Sequence, residues 1–107
     1  MKSLVESLRK LALPGESQLA GQAEGSHKAD EIALDFDDAL KYWKPRLWPS
    51  LSPIQQQALA DIDAYLSRMS GRQNARLWTE GAVLKDEAWR ELRQLAGRAA
   101  DALEAGT

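Results

Sequence analysis

Residues 52–71, SPIQQQALADIDAYLSRMSG, constrain the fold more tightly than any other stretch. Ser52 can cap a helix by accepting from a free backbone N–H, and Pro53 occupies the first helical position, where its missing N–H costs nothing. Gln55, three residues after Ser52, completes the S-x-x-Q capping-box spacing. Ile54, Ala58, Ile62, Tyr65, Leu66 and Met69, with Leu59 beside them, then fall at helical intervals. Gly71 supplies the residue that can turn left-handed and end the helix. Such a helix is about 27 Å long, enough to span a small domain, and its apolar side requires partners.

The rest of the chain supplies them. Strand-forming aliphatics are scarce: Val5, Val83 and the isoleucines at 32, 54 and 62 are all there are. At 107 residues, 44% of them hydrophobic and rich in Ala and Leu, the chain predicts one helical domain. It contains no cysteine, which removes disulfides, thiolate zinc sites and cysteine nucleophiles together. A net charge of −2 does not suggest a dedicated nucleic-acid binder. Glu6, Arg9 and Lys10 interrupt the N-terminal apolar positions, unlike a signal peptide, and no apolar run approaches a membrane span of about 18 residues. The expected location is cytoplasmic.

In chain order, Ser3 to Leu13 predicts a short amphipathic helix with a Ser3–Glu6 capping box and Leu4, Leu8 and Leu11 on one face. Pro14-Gly15 stops it. Residues 15–29 are diluted by glycine and predict a loop with at most a turn of helix at 18–24. Residues 1–29 either pack on their own domain or act as a mobile or swapped arm. Over 30–44, Ile32, Phe36, Leu40 and Trp43 match a helix. The alternation of Ile32, Leu34 and Phe36 also fits a strand, but the helical match is longer. Pro45 is expected to end this helix and hold Lys44 extended. Residues 72–84 suggest a turn at 74–78 and a Thr79-capped turn, with Gly81 against one continuous helix. Residues 86–104 predict a second long helix with Trp89, Leu92, Leu95 or Ala96, Ala99 and Leu103 on its buried side. Gly97 there suggests close approach of a neighbouring helix. The expected architecture is thus a small all-α bundle of three main helices, 30–44, 53–70 and 86–104, plus one or two short ones at 3–13 and 74–84.

Little in this chain points to catalysis. His27 is the single histidine, in the glycine-rich loop, with no second ligand-type partner for a metal and no nucleophile motif beside it. Phosphate-cradling glycine loops and H-E-x-x-H patterns are absent. The densest charge feature is Asp30, Glu31, Asp35, Asp37 and Asp38, five carboxylates against Lys41 before Trp43. It reads either as a solvated helix face or as a docking surface for a basic partner. Trp48 and Trp78 are the tryptophans expected to be partly exposed, as interface tryptophans are. Lys44, Arg46, Arg68, Arg72 and Arg76 form an alternative phosphate-binding strip.

These features predict a non-enzymatic protein-interaction module with no cofactor and no metal. One version is a cytoplasmic inhibitor or immunity-type protein that blocks a basic partner through the acidic face. Another is a homodimer joined through the N-terminal helix. The alternative is a nucleic-acid-associated regulator using the arginine strip.

Overall fold

Ser52 caps its helix as the spacing predicts: Gln55 N–H donates to Ser52 Oγ at 3.2 Å, and Ser52 N–H donates to Gln55 Oε1 at 2.9 Å. The computed structural model describes residues 2–25 and 27–105. Among them the order is α1 (Lys2–Leu11), α2 (Gly15–Ala20), α3 (Lys28–Leu47), a 3-10 turn (Trp48–Ser50), α4 (Pro53–Met69), a 3-10 segment (Arg72–Leu77), α5 (Glu80–Lys85) and α6 (Glu87–Glu104). The fold is all-α, with no strand among the described residues, so 31–36 is helix.

The long helices pack in series. α3 lies on α1, α1 on α6, and α6 on α4, which leaves α3 and α4 only loosely in contact although they are consecutive. Leu4, Leu8 and Leu11 of α1 are buried in the common core, where α1 packs on α3 and α6. The Ser3 side chain of its expected capping box lies outside the described residues. Arg9 of α1 reaches α6, bonding Glu104 at 2.6 and 2.9 Å and Asp101 at 2.8 Å. Those hydrogen bonds, Glu104's first, raise the Arg9 pKa above its ordinary value. The cluster is exposed, so it fixes orientation more than it adds stability.

The buried side of α4 is rotated from the expected stripe. Gln55, Leu59, Ile62, Leu66 and Met69 face the core, Ala58 and Tyr65 lie at its edge, and Ile54 is 74% exposed. A buried glutamine is affordable here because its amide is satisfied: Nε2 donates to Ala102 O near the end of α6 at 3.1 Å, while Oε1 completes the capping box. α4 ends at Met69 with Ser70 extended behind it, and the positive-φ Gly71 (φ +100°) then starts the 3-10 segment instead of closing the helix itself. Asn74 Nδ2 donates to the carbonyls of Arg68 and Ser70 at 2.7 and 2.9 Å.

Pro45 does not end α3. The helix runs on to Leu47 and passes into the 3-10 turn, with Lys44 helical. Proline removes the N–H that would bond the Lys41 carbonyl. One residue on, Arg46 braces the same turn, its side chain donating to Tyr42 O at 2.5 Å while its guanidinium stacks 3.9 Å from the Tyr42 ring centre, a contact that does not replace the donor lost by the Lys41 carbonyl.

The expected loop after Pro14 contains α2. Gly15 begins this helix, and Gln18 and Leu19 bury its inner side. Gln18 Nε2 donates to Leu11 O at 2.8 Å, tying α2 to the end of α1. Arg93 donates to Gln18 Oε1 at 3.3 Å and to Val83 O at 2.9 Å, joining α2, α5 and α6, and burial pulls its pKa below the ordinary arginine value. Thr79 caps α5 by accepting from Ala82 N–H at 3.1 Å, and Asp86 caps α6 by accepting from Ala88 N–H at 2.9 Å.

Gly97 is not held by close approach. A methyl group there would meet Ala12 Cβ at 3.9 Å, an ordinary van der Waals contact. Gly97→Ala is therefore expected to stabilise the fold by about 0.5–1 kcal/mol through helix propensity, seen as a rise of about 2–4 °C in the thermal midpoint. A fall in the midpoint would show that α1 sits closer to α6 than this.

Candidate functional site

The loose contact between α3 and α4 opens a groove of about 530 Å³. The two helices run antiparallel along it, because the start of α3 (Asp30, Ala33) and the last turn of α4 (Leu66, Ser67), with Ser70 and Gly71 just beyond it, line the same space. Its apolar lining is Ala33, Leu34, Leu66 and Trp78; its carboxylates are Asp30, Asp37 and Asp63. Leu34 is 49% exposed. Asp37 pairs with Lys41 at 2.9 Å, a contact that raises the lysine's pKa above its usual value. Asp30 and Asp63 are exposed and have no hydrogen-bond or ion-pair partner among the described residues.

Trp78 at the groove's edge is anchored rather than loose. Its indole N–H donates to Met69 O at 2.8 Å, and its ring meets Trp89 edge-on at 5.5 Å. Trp89 in turn is fully buried and donates to Leu77 O at 2.7 Å. Two helix-end carbonyls, which have no intrahelical donors, are thus each closed by a tryptophan N–H.

The five carboxylates of the acidic cluster separate. Asp30 and Asp37 face the groove. Asp35 lies on the other flank of α3, where Gln22 Nε2 donates to it at 3.3 Å and where it borders a cavity of about 490 Å³ beneath α1 and α2. Glu31 and Asp38 reach neither space; Glu31 is half-buried and Asp38 exposed. Asp63 belongs to the groove but has only Asp61 near it in sequence, on another side of α4, so no charge run marks it. Its signal was its helical register with Leu66 and Ser70 on α4.

The basic strip does not assemble. Lys44 and Arg46 lie at the end of α3 remote from the groove, where Lys44 stacks on Trp48 at 4.9 Å, leaving Trp48 half-buried. From Asp30 to Lys44 the helix rises about 21 Å. Arg68 lies at the opposite end of the hairpin, 5.2 Å from the Tyr65 ring centre. At Gly71 the chain turns, so Arg72 and Arg76 no longer continue Arg68's helical row. His27 sits exposed at the start of α3 and makes no capping hydrogen bond.

Among the described residues, no three histidine, cysteine, aspartate or glutamate side chains are placed to hold a metal ion, and no helix is long and apolar enough to cross a membrane. Neither a protein-family model, nor a curated protein, nor a solved structure matches the chain.

Proposed function

We propose that this protein works by binding another protein, and that the α3–α4 groove receives a basic amphipathic helix from it. The observation that carries this reading is the pairing of an apolar floor (Ala33, Leu34, Leu66 and Trp78) with Asp30, Asp37 and Asp63 along the same groove. Helix-in-groove recognition needs an apolar seat for one face and charge complementarity at the edge. Here the seat lies where the series of packed long helices is open, and two of the three carboxylates have no cation of their own among the described residues. A cytoplasmic inhibitor or immunity-type protein that masks a basic surface would act in this way.

A fluorescently labelled helical peptide with leucine on one face and arginine on the other is the test ligand. Its anisotropy is expected to rise on titration with the protein, and the affinity to fall with added salt. The Trp78 indole N–H resonance should shift more than those of the other tryptophans. The Asp30→Lys/Asp37→Lys/Asp63→Lys variant is expected to bind at least about tenfold more weakly, a loss of roughly 1.4 kcal/mol, whereas Asp35→Lys/Asp38→Lys changes affinity much less. Equal binding by the groove variant, or no binding by the unaltered protein, overturns the assignment.

A further inference from the structure

Ile54 is the most exposed large apolar side chain among the described residues. A lone exposed isoleucine is ordinary, but this one forms the rim of a hollow. α4 and α6 leave a shallow depression of about 320 Å³ lined by Ile54 itself with Ala58, Leu95 and Ala102, and with Asp61 and Arg98 as its charged groups. A knob and a hollow on one face are what an isologous two-fold contact uses, since each copy offers both halves.

The charges have the same property. Asp61 and Arg98 are opposite in sign but do not pair with each other. Asp61 accepts a hydrogen bond from Gln57 at 2.8 Å, and Arg98 makes one loose contact with Glu91 at 3.5 Å. Arg98 therefore keeps most of its donors free. The α3–α4 groove offers carboxylates alone beside its apolar lining and suits a partner of opposite charge. This flank offers both signs and suits a copy of itself.

We propose that two copies of this chain associate through the α4–α6 flank, each Ile54 seated in the other copy's hollow and each Asp61 meeting the other copy's Arg98. The groove lies on the opposite side of α4, lined by Asp63, Leu66 and Ser67, so a dimer formed this way leaves it open.

Sedimentation velocity on the full chain over a concentration series is the test. The unaltered protein is expected to show a reversible monomer–dimer equilibrium. Ile54→Glu should weaken it at least about tenfold. Asp61→Arg and Arg98→Asp should each sediment as monomers where the unaltered protein is dimeric, because each homodimer would oppose like charges twice. Mixed in equal amounts, those two variants should recover the dimer, because the mixed pair matches opposite charges at both contacts. A chain that stays monomeric up to its solubility limit overturns the proposal. So does an Ile54→Glu protein that dimerises as well as the original, or a mixture that stays monomeric. All three side chains lie on the surface, and circular dichroism of each variant alone should match the unaltered protein.

Discussion

Trp89→Ala is expected to cost about 3–5 kcal/mol, at least about a fifth of the total stability of most small domains, which is about 5–15 kcal/mol. Three losses combine. The indole is fully buried in the centre of the core, so its removal leaves a cavity that surrounding helices close only in part. The Leu77 carbonyl loses its 2.7 Å donor and stays buried without a replacement. Trp78 loses the edge-on ring that orients it at the groove. The thermal midpoint should fall by roughly 12–20 °C, taking about 4 °C per kcal/mol for a domain of this length. Trp89→Phe separates the contributions, because it keeps most of the ring and removes only the N–H. It should lose about 1–3 kcal/mol, and its binding of the basic peptide should survive where that of Trp89→Ala weakens. A loss below about 1 kcal/mol for Trp89→Ala, measured by urea unfolding, would mean that the two-tryptophan junction does not hold the helix ends together.

Helix type and number were legible wherever capping and apolar spacing agreed. α4 begins at its capping box, α5 at Thr79 and α6 at Asp86, as their side-chain chemistry requires. Which side of a helix is buried was less legible. On α4 the row starting at Ile54 and the row starting at Gln55 have nearly equal claims, and hydrophobicity favours Ile54. The structure buries Gln55 instead, because Ser52 and Ala102 satisfy its amide. That second partner is 47 residues away, so no local rule reaches it. Pro45 misleads in a similar way: the proline rule counts a lost N–H and a steric clash, but only the Lys41 carbonyl loses its donor, and the helix continues to Leu47 with Arg46 braced on Tyr42.

The groove was half legible. The charge run 30–38 marks the right helix, yet a run of carboxylates one to three residues apart wraps around a helix instead of lining one face. Asp30 and Asp37 are seven residues apart, close to two turns, and only they share the groove. Asp63 became part of the site because α3 and α4 are held apart by their packing on α1 and α6. That separation is a property of the whole bundle. The arginine row fails for the converse reason: its four-residue spacing presumes a continuous helix, and Gly71 interrupts it.

Gly15→Ala is expected to destabilise the protein although alanine is the better helix former. A methyl group on Gly15 would stand 2.8 Å from Val83 O, 3.2 Å from Leu84 Cα and 3.3 Å from Val83 C, all of them backbone atoms of α5. Backbone cannot rotate aside as a side chain can, so α2 has to move away from α5. The displacement falls on the Arg93 bridge, whose bonds to Gln18 and Val83 span this same junction, and on the Gln18 bond to Leu11 O. Overpacking of this kind costs about 1–3 kcal/mol, against a propensity gain of at most about 1 kcal/mol, since Gly15 is the first residue of its helix. The midpoint should therefore fall, by up to about 12 °C, while Gly97→Ala raises it, and Gly15→Val should fall further than Gly15→Ala. Amide exchange should quicken across residues 15–20 before it does in α6, because the displaced helix is short and held mainly by this junction. A Gly15→Ala protein as stable as the original would place α2 farther from α5 and leave the half-buried Arg93 without the junction it bridges.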